Sequence, residues 1–200
     1  MDRLGAIYDP ALQLFCTEVA RYVRMTAQLG VVLPDVGDFT CEPGKVARAL
    51  VGHLLAADPS GKRFDPPTQA PMIEAMRTYF LASDDPAPSC LQLFAWPFPF
   101  DHHVLARSVI VARVLEGAVG PILGDFLKFF PLAWWLTYDL NPEVVVAGTS
   151  FPLLPAGDRQ SVRIRFRPTV FPEWPEKARE DEVMLMDFRR TSIATRQRRR

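Results

Sequence analysis

The chain has 200 residues, 48% of them hydrophobic and 23% charged, and its 23 basic side chains balance 23 acidic ones. That length suits one domain, the apolar share supplies material for a core, and the composition argues against general disorder. Three scattered cysteines, Cys16, Cys41 and Cys90, exclude a disulfide framework and a cysteine-based zinc site, and no charge-free run reaches the ~18 residues that a membrane-spanning helix needs.

The first predicted element is a helix. Asp9 is placed to cap it, Pro10 to fill its first turn and Gly30 to close it, while Phe15, Val19, Tyr22 and Val23 form an apolar stripe at helical spacing. A second helix is predicted over Pro43–Ala57, where Val46, Leu50 and Leu54 repeat every four residues and Asp58-Pro59 ends the run. Ser60–Ala70 reads as a loop. A third helix starts near Pro71 and buries Met72, Ile73, Met76 and Phe80, and Ser83–Ser89 is a surface connection.

Leu91-Gln-Leu-Phe94 reads as a short strand or an apolar link. Trp96–Phe100 is extended, because a residue before proline is pushed out of the helical region. Asp101 is then read as the cap of a helix over His102–Glu116, broken by Gly117, Gly120 and Pro121. One or two short helices follow, interrupted at Pro131 and stopped by Asn141-Pro142. Beyond them the period changes. Val144-Val-Val146 favours a strand, and Ser161–Arg167 alternates, with Val162, Ile164 and Phe166 on one face and Arg163, Arg165 and Arg167 on the other. That pattern describes a half-buried antiparallel strand, with Val183–Phe188 as its expected neighbour and polar Glu173–Glu182 between them. The expected fold is α+β, with N-terminal and central helices followed by a small, mostly antiparallel C-terminal sheet. Residues 1–190 are expected to form one domain and residues 191–200 a basic flexible tail.

The balanced charge is unevenly distributed. Arg159–Arg200 holds 12 Lys and Arg against 6 Asp and Glu, and Met1–Asp158 holds 11 against 17. A cationic end on an anionic body points to a polyanionic partner. Arg163, Arg165 and Arg167 stand roughly 6.6–6.8 Å apart along one strand face, close to the phosphate repeat of a nucleic-acid strand, and guanidinium forks hold phosphate oxygens bidentately. Arg189, Arg190, Arg198, Arg199 and Arg200 extend the basic set. The competing view is a solvated strand face whose arginines pair with nearby glutamates, in a chain where arginine outnumbers lysine 19 to 4 as biased codon usage produces.

Asp101-His102-His103 joins a carboxylate to two imidazoles, residue types that bind metal or move protons. Adjacent helical residues point about 100° apart, so the two histidines do not reach one ion unaided, and a helix cap is the simpler reading of Asp101. No zinc-protease, phosphate-loop, dinucleotide or nucleophile-elbow motif occurs, and no cofactor or metal site is specified. The block Leu91–Leu140 carries ten of the chain's 22 aromatic residues. Most of this block reads as ordinary core; Trp134 and Trp135, expected on a helix, point to different faces, which makes one of them a candidate surface anchor for a protein partner or for a peripheral contact with a membrane.

These features lead to an expected function: a small cytoplasmic accessory protein, bacterial in its general make-up, that acts by binding. Its arginine-rich strand and tail would contact nucleic acid or a partner that handles it. One alternative is an inhibitor or immunity-type protein, such as a plasmid transfer inhibitor, that binds a partner protein through the aromatic block. The other is a metal-assisted nuclease or phosphodiesterase using Asp101, His102 and His103.

Overall fold

In the computed structural model, residues 2–30, 32–57, 70–112, 122–141, 146, 148–166 and 184–187 are described. Apolar side chains at helical spacing define three helices, α1 (Asp2–Gln28), α2 (Pro43–Ala56) and α3 (Ala70–Leu81). α1 buries Tyr8, Leu12, Phe15 and Val19, α2 buries Val46, Leu50 and Leu54, and α3 buries Met72, Met76 and Phe80. A fully buried side chain of this kind contributes roughly 1.5–3 kcal/mol, so one stripe per helix suffices to hold the layer together. α1 begins at Asp2, upstream of the expected Asp9 cap, and Pro10 lies inside it. Tyr8 explains the extension: it is buried and meets the Phe80 ring edge-on at 5.8 Å, which anchors the turn before the proline. Gly30 adopts φ 63° just past the helix, as its closing role requires.

The strands are β1 (Val36–Cys41), β2 (Leu91–Pro97), β3 (Val104–Ala112), β4 (Ile122–Phe129), β5 (Leu132–Tyr138), β6 (Thr149–Phe151), β7 (Gln160–Arg165) and β8 (Met184–Asp187). They form two antiparallel sheets, a six-stranded one in the order β6-β2-β5-β4-β3-β8 and a two-stranded ladder of β1 and β7. The fold is therefore α+β, but the larger sheet starts in the middle of the chain rather than at its C-terminal end.

That placement corrects three expectations. The helix over His102–Glu116 is replaced by β3, whose Val104, Val109, Ile110 and Val111 suit a pleated surface and find partners on β4 and β8. The short helices between Pro121 and Leu140 are replaced by the β4–β5 hairpin, with the cis peptide Phe130–Pro131 at its turn. β8 pairs with β3 and not with β7, whose partner is β1, a segment the pattern left unassigned. The expected strand around Val144, the expected loop over residues 60–69 and the basic tail lie outside the described residues.

The six-stranded sheet is covered on both faces. On one, Leu91, Leu93, Trp134, Leu136 and Phe151 join the buried stripes of the helices and the inner faces of β1 and β7 (Phe39, Val162, Ile164) in one core. On the other, Phe94, Trp96, Phe98, Phe126 and Trp135 form an aromatic cluster. Gly124 on β4 is required there. A Cβ at that position would overlap the indole nitrogen of Trp135 and the Leu136 carbonyl, so only glycine lets the indole lie across the strand and stack on Phe126 at 5.1 Å. Among the described residues, no helix is long and apolar enough to cross a membrane.

Candidate functional site

The alternation over Ser161–Arg165 survives intact in β7. Val162 and Ile164 are buried, whereas Ser161, Arg163 and Arg165 are exposed. Pairing with β1 sets which groups these arginines meet: Arg163 lies opposite Asp38 and Arg165 opposite Val36. The Arg163 guanidinium donates through Nε to Asp38 Oδ1 at 3.1 Å, with both side chains more than half exposed. An exposed pair of this kind is worth about 0–1 kcal/mol, so it dilutes the charge of Arg163 without locking it. Among the described residues no carboxylate pairs with Arg165. Its backbone N–H donates to Thr149 Oγ1 at 2.8 Å, which pins the end of β7 against β6 and holds the outer face in register. Phe166, the next inward residue, is buried, stacks on Tyr22 at 5.7 Å and donates its backbone N–H to the Asp35 carbonyl at 2.7 Å. Of the eight arginines singled out from the sequence, Arg163 and Arg165 thus share one wet face. Arg167, Arg189, Arg190, Arg198, Arg199 and Arg200 lie outside the described residues.

Asp101, His102 and His103 occupy the connection that leads into β3, so no helix exists there for Asp101 to cap. The strand forms because the apolar residues that follow have sheet partners on both sides, a tertiary preference that overrides the local cap signal. His102 sits among aromatic rings, edge-on to Phe98 at 5.2 Å and stacked on Phe100 at 5.4 Å, while His103 tilts toward Phe129 at 6.3 Å. His53 lies elsewhere, 3.3 Å from Asp9 between α2 and α1. Among the described residues, no group of three or more His, Cys, Asp or Glu side chains is placed to hold a metal ion.

The candidate surface tryptophan is not found, and the reading of the block as core holds for both residues. On β5, Trp134 and Trp135 do point to opposite faces, but both faces are covered, and their exposures are 1% and 2%. Trp134 packs against Phe15 and Phe151 on the helix side, and Trp135 against Phe94 and Phe126 on the other. Neither offers surface to a partner. Burial pushes the thiols of Cys16 and Cys41 up to about 12, so near neutral pH both stay protonated and lack the thiolate that nucleophilic chemistry needs.

Sequence patterning gave no role to the most demanding polar group of the described structure. Arg48 on α2 is fully buried, and its guanidinium donates to four carbonyls: Gly44 at 3.1 Å, Leu154 at 2.6 Å, and Ala82 and Asp85 at 2.7 Å each. It also lies 4.1 Å from the centre of the Tyr79 ring, whose hydroxyl donates to the same Leu154 carbonyl at 3.1 Å. The cation therefore ties the turn after α3 and the segment before β7 to the start of α2. Three of its four acceptors lie 34 to 106 residues away in the chain, so no local spacing advertises the role. A second buried charge, Asp125 on β4, accepts from Arg107 Nε at 3.2 Å. The chain matches no family model, no curated protein and no solved structure.

Proposed function

We propose that the chain acts by binding a polyanion, nucleic acid in the first instance, through the outer face of β7 and the arginine-rich segment that follows it. The observation that carries this reading is Arg165, exposed on a paired strand with no carboxylate partner among the described residues, two residues from Arg163 on the same face. The excess of 12 Lys and Arg over 6 Asp and Glu across Arg159–Arg200 gives the same sign to the chain around it. Contacts of this kind address backbone phosphate, so affinity falls steeply with salt and depends weakly on sequence. The protein-partner alternative was built on an exposed tryptophan and loses that support, and the two histidines have no third ligand among the described residues with which to support metal chemistry.

Fluorescence anisotropy with labelled single- and double-stranded DNA and RNA tests the proposal between 50 and 300 mM salt. Arg165→Ala is expected to weaken binding and lower the salt slope by about one, the change for one lost phosphate contact. Asp38→Asn is expected to strengthen binding, because it frees Arg163 from its carboxylate. Absence of binding at low salt, or a slope unmoved when Arg163, Arg165 and Arg167 are all alanine, overturns the reading.

A further inference from the structure

A cleft of about 460 Å³ lies between α1 and the β4–β5 turn, away from the ladder that presents Arg163 and Arg165. Its α1 wall is one stripe. Thr17, Arg21, Arg24 and Gln28 follow one another by four, three and four residues, the spacing that stacks side chains along one helix face. Phe130 and Pro131 form the facing wall, and Cys16 and Ala20, both buried, form the floor. The Arg24 guanidinium lies 5.2 Å from the centre of the Phe130 ring, which holds the head of that long side chain at the mouth of the cleft. Among the described residues no carboxylate lines the cleft and none pairs with Arg24. Arg21 has Glu18 at 4.0 Å, at the limit of an ion pair, with both side chains half or more exposed. The floor carries no competing negative charge, because burial keeps the Cys16 thiol protonated.

Two guanidinium forks above an apolar floor and beside an aromatic wall complement a specific kind of molecule. The forks suit an anionic head and the apolar lining suits an apolar body, in an open groove of about 460 Å³. We infer that this cleft binds a small organic anion with a ring-sized apolar body, its head held by Arg21 and Arg24 and its body laid against Phe130 and Ala20. The inference is independent of polyanion binding, since an extended phosphate chain has no use for an apolar floor and the residues involved are different.

The full chain is titrated with 8-anilinonaphthalene-1-sulfonate, with the neutral N-phenyl-1-naphthylamine and with inorganic phosphate. One sulfonate per chain is expected, with amide shifts concentrated between Thr17 and Gln28 and at Phe130. Arg21→Gln and Arg24→Gln, both at exposed positions, are each expected to weaken it at least tenfold while leaving near-ultraviolet circular dichroism unchanged. The neutral analogue is expected to bind at least tenfold more weakly, and phosphate to compete only in large excess. Equal binding of the neutral analogue, indifference to both arginine substitutions, competition by phosphate at matched concentration, or shifts located elsewhere each overturns the assignment.

Discussion

β5 and β7 are both antiparallel strands, and they make opposite use of their residues. Along β7 burial alternates, so every second side chain reaches water and two of those are arginine. Along β5 the six residues from Leu132 to Thr137 are all buried, because helices cover one face of the sheet and the aromatic cluster fills the other. Strict alternation is therefore the mark of a strand with one wet face, not of strands in general. The difference also sorts chemistry from packing. Charged groups on β7 are available to a partner at little cost, whereas the charges on the central sheet, such as Asp125, are committed to internal pairs.

Trp135→Ala is the most direct way to break the dry face. It removes the indole stacked on Phe126 and is expected to cost about 3–5 kcal/mol, read as a lowered midpoint in urea unfolding. On β7 the contrast sharpens within one strand. Ile164→Ala, at a fully buried position, is expected to lose about 2–5 kcal/mol, while Arg165→Ala next to it stays within about 0.5 kcal/mol. Similar losses at both positions would mean that the outer face of β7 is not wet. Gly124→Ala leaves polarity unchanged but forces the Trp135 indole away, and a loss of about 1–3 kcal/mol is expected; introduced into Trp135→Ala the same change is expected to cost less, because only the overlap with the Leu136 carbonyl remains.

Alkaline pH probes burial without changing packing. The Cys16 thiol rises from 9.0 to about 12 on folding, so between those values the folded chain holds a proton that the unfolded chain has released. Stability from this group is full below pH 9 and falls as pH climbs toward 12, by up to about 1.4 kcal/mol per pH unit. Denaturant midpoints of Cys16→Ala across that window should decline less steeply than those of the parent. The effect of Asp38→Asn on stability is also small, expected at about 0–1 kcal/mol because both partners of its ion pair are exposed.

Much of the helical layer was legible from spacing. Val46, Leu50 and Leu54, and Met72, Ile73, Met76 and Phe80, lie on the buried faces of α2 and α3; α3 has one covered and one wet side, whereas α2 is buried around most of its circumference from Val46 to Val51, and its large apolar residues still recur every four positions. One covered and one wet side also made β7 legible. The strands between Val104 and Tyr138 differ from the expected helices because β4 and β5 are largely buried on both faces, which removes the alternation that marks a strand, and the local punctuation (Asp101, Gly117, Pro131) imitates helix caps and breaks. The candidate site was half legible. Arginine spacing located Arg163 and Arg165, but Asp38, which stands across from Arg163, sits 125 residues away and gave no signal. The stripe of Arg21 and Arg24 was visible in principle at helical spacing; its facing wall, Phe130 and Pro131, was not.

The sequence by itself determined which segments bury a single face, how charge is distributed between the body and the basic end, and that an α+β fold results. These are local properties, set by side-chain period and composition. Tertiary structure alone decided that β7 joins β1, that both tryptophans of β5 are sealed, and that Arg48 gathers carbonyls from three parts of the chain. Pairing and enclosure arise between groups distant along the backbone, and the free energy of covering a second face leaves no period in the strand it covers.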